Sequence, residues 1–216
     1  MSLHKNYAVF GLGRYGAAIA KELHAGGADV LAVDLDAAKV DALAPEIPFC
    51  KCADVTDPEV IRQLDVSQFD VVIIAIAGNL EASVMATALC KEAGVPTVVV
   101  KCAGEMQQKI LHKVGADQVV VPETESGVRL AKNLLSSGFV DLVELTKDVS
   151  MVEITVKKEW VGKSLIELDL RKKYALNVVA IKQEGAVSVT IDPAMGLSAD
   201  MTLIVIANTA KLEKLK

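Results

Sequence analysis

Three glycines near the N-terminus have the spacing of a phosphate-binding loop. Residues 9–16 have the sequence VFGLGRYG, which places Gly11, Gly13 and Gly16 in a G-x-G-x-x-G motif between a strand-like run and a helix-like run. In that context Gly11 allows a tight turn, Gly13 lets a pyrophosphate approach the backbone, and Gly16 lets the helix pack closely on the strand. Because the start of a helix presents free N–H groups and a partial positive charge, this loop predicts nucleotide binding.

An acidic residue follows at a position that suits a ribose. Asp34 ends the second strand-like run, 18 residues after Gly16. A carboxylate there can accept hydrogen bonds from both ribose hydroxyls, and its charge repels a 2′-phosphate, so the site disfavours NADP. The predicted nucleotide site therefore contains Asp34 and the whole loop: Gly11, Leu12, Gly13, Arg14, Tyr15 and Gly16.

Two other polar residues near this loop each have two interpretations. The Arg14 guanidinium either binds phosphate oxygens through two hydrogen bonds or is a solvated group at the start of a helix. Asp54 follows the third strand-like run, where it either meets the adenine edge or caps the next helix through residues 54–56. Further residues are predicted to line the crevice at the carboxyl ends of the strands: Val55, Ala75, Ile76, Ala77 and Lys101.

Alternating strands and helices are predicted to position this site. The strand-like runs are residues 7–10, 30–34, 49–53, 71–77, 97–101 and 118–121. The helix-like runs between them are residues 15–25, 37–44, 58–64, 80–93 and 105–114. Single helices between successive strands require a parallel, right-handed, doubly wound sheet, here a Rossmann-like sheet of six strands. The composition, 52% apolar but only 4% aromatic, is typical of such a sheet buried on both faces.

The pattern changes after residue 121. One more helix is predicted at residues 126–135, ended by Ser136, Ser137 and Gly138. Strands follow at residues 142–145, 151–156, 178–182, 187–191 and 202–207, with a helix at residues 164–172 and a short charged helix at the end. We therefore expect a nucleotide-binding domain at residues 1–124, a crossover helix and hinge at residues 125–140, and a small α+β domain at residues 141–216.

Composition argues against several classes of protein. The net charge is −5 without a basic tract, so nucleic acid is not an expected partner. The longest apolar run, residues 71–77, is far shorter than the roughly 18 to 20 residues of a membrane span, and the N-terminus lacks the apolar region of a signal peptide. We expect a soluble, cytoplasmic protein. The four cysteines, Cys50, Cys52, Cys90 and Cys102, lack C-x-x-C spacing. Cys50 and Cys52 are two residues apart and share one face of a strand, and we interpret them as buried core residues rather than as a metal or redox pair.

The sequence after residue 121 contains no recognisable acid–base group to act on a bound nicotinamide, as a dehydrogenase requires. A G-x-x-x-x-G-K-[ST] loop for ATP hydrolysis is also missing. A domain that binds a nucleotide without converting it is more plausible as a sensor than as an enzyme. The competing hypothesis is a small NAD-dependent oxidoreductase with an unrecognised substrate.

Several segments together resemble the regulatory subunits of bacterial Ktr and Trk potassium transporters, which are built from RCK domains (regulators of potassium conductance). The resemblance covers essentially the whole chain and is strongest to the single-repeat Ktr type. Ala53 is a departure, because glycine is common at that position in the family. The segments that carry the resemblance are residues 7–16, 31–34, 53–56, 115–117, 121–123, 163–166 and 171–174.

The resemblance implies roles for the residues of the first domain. In this family the glycine loop, together with the positions of Asp34 and Asp54, holds ATP, ADP or NAD(H), and the loop sequence here favours ATP and ADP. Arg14 matches an arginine that reaches the γ-phosphate, often that of a neighbouring subunit. Glu123 matches a glutamate at the nucleotide-side dimer interface, where a divalent cation such as Mg²⁺ or Ca²⁺ can bind.

The resemblance also implies an assembly and a second ligand. The helix at residues 126–135 matches a crossover between subunits, which form homodimers and then an octameric ring under an integral membrane potassium channel or transporter, on the cytoplasmic side. The last domain resembles one that binds cyclic di-AMP in several family members. An arginine and an amide flanked by apolar residues suit a phosphate and a purine; the matching positions are Leu165, Ile166, Arg171, Asn177 and Pro193.

Overall fold

The N-terminal part of the chain folds as six parallel strands joined by helices. This computed structural model describes residues 5–76, 78–135, 139–146 and 148–212, and the chain divides into two compact units, Met1–Thr124 and Glu125–Lys216. The strands of the first unit are β1 (Asn6–Phe10), β2 (Asp29–Asp34), β3 (Phe49–Cys52), β4 (Val71–Ile74), β5 (Thr97–Lys101) and β6 (Gln118–Val120). Its helices are α1 (Arg14–Ala25), α2 (Ala37–Leu43), α3 (Pro58–Gln63), α4 (Leu80–Glu92) and α5 (Glu105–Val114), with a 3-10 turn at Val66–Gln68.

The strand order is β3-β2-β1-β4-β5-β6, so the order reverses between β1 and β4. All neighbouring strands of this sheet are parallel, and Val9 of β1 lies between Ala32 of β2 and Ile73 of β4. The predicted doubly wound sheet is confirmed. In such a sheet, ligands bind outside the carboxyl ends of the strands at the point of reversal, which here is the end of β1.

Apolar side chains cover both faces of this sheet. Along β1, Ala8 and Phe10 belong to one buried cluster, whereas Val9 belongs to the other, as the two-residue period of a strand requires. Helices α1 and α2 complete the Val9 cluster with Ala20, Val40 and Leu43. Helices α3, α4 and α5 complete the Phe10 cluster with Ile61, Ala86, Cys90 and Leu111.

The second unit contains a five-stranded antiparallel sheet and short helices. Its strands, in the order β10-β9-β11-β8-β7, are β7 (Phe139–Glu144), β8 (Val149–Thr155), β9 (Asn177–Gln183), β10 (Ala186–Ser188) and β11 (Thr202–Asn208). A 3-10 turn at Lys158–Trp160 and the helices α7 (Leu165–Leu168), α8 (Leu170–Tyr174) and α9 (Thr209–Leu212) accompany them. A separate core forms around Trp160, Leu168, Leu203 and Val205, and the predicted small α+β fold is confirmed.

Helix α6 (Pro122–Leu135) begins four residues before the predicted start at Ser126. Proline at a first helical position has no N–H to leave unpaired, and the carboxylate of Glu123 in the first turn suits the helix dipole. The boundary between the two units therefore falls inside a helix. The predicted turn at residues 136–138 lies outside the described residues. None of the described helices is long and apolar enough to cross a membrane.

The helix predicted at residues 164–172 is in fact two short helices, α7 and α8. Ser164 begins α7 through a capping box with Glu167. Asp169 then adopts a left-handed conformation, with φ of 44° and ψ of 47°, and separates the two helices. The prediction was wrong here because a single left-handed aspartate leaves the apolar periodicity of the sequence unchanged.

Strand β4 ends at Ile74, three residues before the predicted end at Ala77. The Ala75 N–H still donates to the Phe10 carbonyl, at 2.7 Å. Beyond that bond, Gly11 has a φ of +92° and turns the backbone away, so β1 no longer provides a parallel partner. Strand β10 also differs, since it comprises Ala186–Ser188 rather than residues 187–191.

Two alanines at helix C-termini differ in backbone conformation. Ala175 after α8 is left-handed (φ 55°, ψ 34°), whereas Ala44 after α2 is right-handed (φ −53°, ψ −32°). We expect Ala175→Gly to raise the free energy of unfolding by about 0.5–1 kcal/mol, because glycine removes the strain of the left-handed region. The matched Ala44→Gly should lower it by a similar amount. Urea denaturation followed by circular dichroism measures both, and a loss of stability in both variants would contradict the prediction.

Candidate nucleotide-binding site

A cavity of about 860 Å³ lies at the carboxyl edge of the parallel sheet. The cavity is lined by residues at the end of, or just after, every strand of that sheet. This is expected for a ligand site at the point where the strand order reverses. The lining residues are Gly11, Gly13, Arg14, Tyr15, Ala18, Val33, Asp34, Leu35, Lys39, Ala53, Asp54, Val55, Thr56, Ala75, Ile76, Gly78, Asn79, Ala82, Lys101 and Glu123.

The three glycines of the loop have three different steric roles. A Cβ on Gly16 would lie 1.9 Å from the Gly11 carbonyl oxygen, so α1 reaches the end of β1 only because Gly16 has no side chain. Gly11 has a positive φ, and a Cβ there would lie 3.0 Å from the Ala75 carbonyl carbon. In contrast, apart from Gly13 itself and its two chain neighbours, no described heavy atom lies within 4 Å of a Cβ built on Gly13. Gly13 therefore leaves space in the cavity itself.

Helix α1 points its N-terminus into this cavity. It begins after Gly13, and among the described residues it has neither a capping side chain nor an acidic residue in its first turn. The positive end of the helix dipole therefore faces the cavity without a side chain of the helix to neutralise it, as a site for an anion requires. Together with the space above Gly13, this arrangement fits a phosphate group.

The carboxylate of Asp34 connects the end of β2 to the loop. Its Oδ2 accepts a hydrogen bond from the Leu12 N–H at 2.6 Å, and its Oδ1 accepts one from the Asp36 N–H at 2.9 Å. The Lys39 ammonium lies 3.3 Å and 3.4 Å from the two oxygens. Burial acts to raise the pKa of Asp34, but the bonds from Asp36, Leu12 and Lys39 outweigh it and lower the pKa. Asp34 is therefore ionised at neutral pH.

Asp54 also lines the cavity, in the segment after β3, where the preceding Ala53 N–H donates to the Asp34 carbonyl at 3.1 Å. One of its oxygens, Oδ1, accepts from the Thr56 N–H at 2.9 Å and from the Thr56 hydroxyl at 2.7 Å. These two bonds lower the pKa of Asp54, with the hydroxyl contributing most. The N-cap of α3 is Asp57, which accepts from the Glu59 N–H, so the interpretation of Asp54 as a helix cap is wrong. Its other oxygen, Oδ2, remains for a ligand in the cavity.

A cluster of charged groups occupies the far end of the cavity, beyond the α1 N-terminus. Lys101 is only 12% exposed and donates to Glu123 Oε1 at 2.6 Å. The same ammonium lies 5.3 Å from the centre of the Tyr15 ring. The hydrogen bond from Lys101, and more weakly the charge of Arg14, hold the pKa of Glu123 below its usual value. Terminal phosphates in the cavity would meet these cations.

Most of the predicted nucleotide-site residues line the cavity, but two of the described ones do not. Leu12 does not line the cavity, because its side chain is buried among the Val9 cluster; only its N–H takes part, through Asp34. Gly16 is likewise buried and acts by its lack of a side chain. Ala77 lies outside the described residues. The predicted residues that line the cavity are Gly11, Gly13, Arg14, Tyr15, Asp34, Asp54, Val55, Ala75, Ile76, Lys101 and Glu123.

Some cavity residues were not predicted from the sequence. Lys39 lies in the first turn of α2 and reaches back to the end of β2. Asn79 caps α4 through the Ala82 N–H and places a second helix N-terminus at the cavity. The signal for both was their position shortly after a strand end, since a helix that starts there returns its first turn to the strand edge.

The five positions predicted for a second ligand lie in the second unit. The Ile166 N–H donates to the Pro193 carbonyl at 3.2 Å, so these two are neighbours. Ile166 is 63% exposed, while Leu165 is half-buried against the core. Arg171 is an exposed residue of α8. Asn177 begins β9 and its amide donates to the Ile206 carbonyl at 3.4 Å.

The cysteines and acidic residues do not form a metal centre in the described part of the chain, where no group of three suitable side chains is close together. Cys90 and Cys102 are buried, and burial raises the pKa of Cys90 to about 12. Cys52 is exposed and Cys50 is half-buried, so the predicted burial of these two cysteines was wrong. The reason is that β3 is an edge strand with one side open to solvent.

Comparison with known proteins finds matches to both units. The TrkA-N domain family matches residues 7–122, and the TrkA-C domain family matches residues 149–216. Ktr system potassium uptake protein C of Bacillus subtilis (strain 168) is 37% identical over 212 residues, which cover 98% of this chain and 96% of that protein. Ktr system potassium uptake protein A of Vibrio alginolyticus is 35% identical over 213 residues, covering 98% and 97%.

A solved structure shares the fold over nearly the whole chain. The GsuK RCK domain superposes with a TM-score of 0.67 at 16% sequence identity, and the superposition covers 99% of this chain and 47% of that one. At this identity the similarity concerns the fold alone.

The surroundings of Gly16 and Gly13 predict different roles, close packing for Gly16 and ligand binding for Gly13. We expect Gly16→Ala to lower the free energy of unfolding by about 1–3 kcal/mol, because its methyl group collides with the Gly11 carbonyl. Gly13→Ala should change stability by less than about 0.5 kcal/mol, since Gly13 has a φ of −66° and open space beside it. It should nevertheless weaken ADP binding by filling the cavity. Urea denaturation and calorimetric titration measure the two effects; equal losses of stability would contradict the assignment.

The pKa of Asp34 predicts a pH dependence of stability. Because its folded-state pKa is lowered, its stabilising contribution is complete above the unfolded-state pKa and is lost as the pH falls through the folded-state value. The difference in unfolding free energy between the native protein and Asp34→Asn should be constant from about pH 5 to 7 and shrink below about pH 4. Urea denaturation at a series of pH values measures this. A difference that grows on acidification would show that the carboxylate is not stabilised in the fold.

Proposed function

The chain belongs to the TrkA-N/TrkA-C family that includes the Ktr system potassium uptake proteins A and C, and from this premise we propose that it is a nucleotide-sensing regulatory subunit of a potassium channel or transporter. The family membership confirms the resemblance drawn from residues 7–16 and the later segments. The observation that carries the proposal is the cavity over Gly13, which combines an uncapped helix N-terminus with an ionised carboxylate at Asp34.

The proposed ligand is ATP or ADP, with NAD(H) as the alternative nucleotide of the same site. Phosphates bind at the start of α1 over Gly13, and the ribose hydroxyls bind Asp34. The adenine lies toward Asp54, whose Oδ2 can accept a hydrogen bond from the exocyclic amine. The cations of Arg14 and Lys101 at the far end of the cavity suit the terminal phosphates of ATP.

In this proposal the protein senses the bound nucleotide and does not convert it chemically. A general base works best when its pKa lies near the ambient pH, and the pKa of each cavity carboxylate is lowered instead: Asp34, Asp54 and Glu123. These groups are fully ionised at neutral pH and are weak proton acceptors. The relatives named above are potassium uptake proteins, which agrees with a regulatory role.

A divalent cation, Mg²⁺ or Ca²⁺, is proposed to bind at Glu123. This carboxylate is 69% exposed and keeps an oxygen that Lys101 does not occupy. A single carboxylate is an incomplete ligand set for either ion, so the remaining oxygens come from nucleotide phosphates or from a second copy of the chain. The cation therefore binds only together with one of these partners.

The subunits are proposed to form homodimers and an octameric ring attached to an integral membrane potassium-transporting subunit, on its cytoplasmic side. Exposed apolar side chains on two helices of the chain support contacts of this kind: Met106 and Ile110 on α5, and Val128, Leu130 and Leu134 on α6. In this proposal residues 125–140, which include most of α6, form the crossover helix and hinge between subunits. Residues 141–216 form the regulatory domain, and nucleic acid is not a partner.

Cyclic di-AMP is the proposed ligand of the second unit. Ile166, whose side chain is exposed, is joined to Pro193 by a backbone hydrogen bond, and Arg171 and Asn177 supply a cation and an amide on neighbouring elements. Such a set of apolar and polar groups suits stacked purines joined by phosphates.

Calorimetric titration of the full chain with ATP, ADP, NADH and NADP tests the proposed function. We expect binding of at least one of the first three, and no binding of NADP, because the charge of Asp34 repels a 2′-phosphate. Binding of NADP alone, or of none of the four, overturns the proposal. Turnover of NADH that depends on an added substrate and is lost in Asp34→Ala would instead establish the oxidoreductase alternative.

We expect the exposed guanidinium of Arg14 to make the site bind ATP more tightly than ADP. Arg14→Ala should weaken ATP binding about tenfold or more, the effect of losing a charge-assisted hydrogen bond, and should weaken ADP much less. The matched control is Arg62→Ala, which removes a 73% exposed arginine that pairs with Glu59 away from the cavity. Equal losses for the two nucleotides would show that Arg14 does not contact the γ-phosphate.

A further inference from the structure

The carboxylate of Asp34, which the proposed function assigns to the ribose, already has a full set of hydrogen-bond donors. A carboxylate offers about four acceptor positions. The N–H groups of Leu12 and Asp36 take one position on each oxygen, and the Lys39 ammonium bridges both oxygens at 3.3 Å and 3.4 Å. The two ribose hydroxyls can therefore donate to Asp34 only if one of these donors leaves.

Lys39 is the donor that can leave. The N–H groups of Leu12 and Asp36 belong to the backbone of the glycine loop and of the turn into α2, so neither moves without breaking the fold around the site. Lys39 is a long side chain that is 45% exposed and can be solvated where it lies. Its distances to Asp34 are also long for a charge-assisted hydrogen bond, which is usually about 2.7–2.9 Å.

A second carboxylate is available to the displaced ammonium. Asp36 Oδ2 lies 3.9 Å from the Lys39 Nζ, and the Asp36 side chain is 52% exposed. Its other oxygen, Oδ1, accepts the Ala38 N–H and caps α2. Lys39 therefore lies between a carboxylate that lines the ribose position and one that faces solvent, and a small rotation exchanges the first partner for the second.

We propose that Lys39 controls how strongly the cavity selects for a ribose: it occupies the Asp34 carboxylate in the ligand-free protein and moves to Asp36 when the 2′- and 3′-hydroxyls of a nucleotide bind. This inference rests on the proposed nucleotide-binding function and concerns the specificity of that site. The ribose hydroxyls replace part of the ion pair between Lys39 and Asp34. The preference for a nucleotide with these hydroxyls is therefore smaller than it would be if Asp34 had no lysine partner.

The preference is measured as the ratio of the affinities for ATP and for 2′,3′-dideoxy-ATP, obtained by calorimetric titration of the full chain. Using the ratio cancels the attraction between Lys39 and the phosphates, which is the same for both nucleotides. In Lys39→Met the ratio should rise about threefold to tenfold, the range expected for an ion pair with one buried partner. Lys39→Arg retains the charge and should leave the ratio close to that of the native protein.

Lys21→Met is the matched control for the loss of a lysine. Lys21 is 46% exposed and pairs with Glu46, and it does not line the cavity. Its removal should leave the ratio unchanged. A second variant, Asp36→Asn, keeps the helix cap but removes the charge that receives the displaced ammonium. It should lower the ratio about threefold in the native protein and have no effect in the Lys39→Met background.

The outcomes separate this inference from the proposed function. If the native protein binds ATP but Lys39→Met leaves the ratio unchanged or lowers it, Lys39 does not compete with the ribose and the inference is wrong. The inference is also wrong if Asp36→Asn lowers the ratio equally with and without Lys39. If the native protein binds none of ATP, ADP and NADH, the proposed function itself is wrong, and this inference is wrong with it.

Discussion

The hydrogen bond from the Leu12 N–H to Asp34 Oδ2, at 2.6 Å, joins the phosphate loop to the end of β2. Because Asp34 is 9% exposed and ionised, this bond is charge-assisted and lies in a region with little water to compete for it. The loop after β1 and the Asp34 carboxylate, which lines the cavity, are therefore held together as one unit. Every other part of the site is placed relative to this unit.

The sheet and the glycines explain why this unit lies beside a cavity. The strand order reverses at β1, so the segments after β1 and β4 diverge and leave a space between them. Gly16 lets α1 start directly against the Gly11 carbonyl, which brings the helix N-terminus to that space. With an ordinary side chain at Gly16, the helix would stand away from the strand and its dipole would not reach a bound phosphate.

Charge is distributed unequally around the cavity. Beside the end of β2, Lys39 neutralises Asp34, but it is half-exposed and its bonds to the carboxylate are long, so the pair can open. Beside the end of β5, Lys101 is nearly buried and donates to Glu123 at 2.6 Å. In the proposed binding mode, a nucleotide therefore meets a displaceable cation at its sugar and a fixed cation near its terminal phosphates. This asymmetry suits a protein that senses which nucleotide is present, since the terminal phosphates are the part that differs between ATP and ADP.

The sequence by itself determined the sheet, because apolar runs with intervening helices and a G-x-G-x-x-G motif allow few other folds. It also located the loop after β1 and Asp34 at the end of β2, since both positions follow from the strand pattern along the chain. Only the tertiary structure decided the roles of Lys39, Asp57 and Asp169. Lys39 acts through a turn that folds back on a strand end, Asp57 rather than Asp54 caps α3, and Asp169 breaks a helix by one left-handed residue. Apolar periodicity does not report such contacts and dihedral angles, because they depend on which backbone groups the fold brings within hydrogen-bond distance.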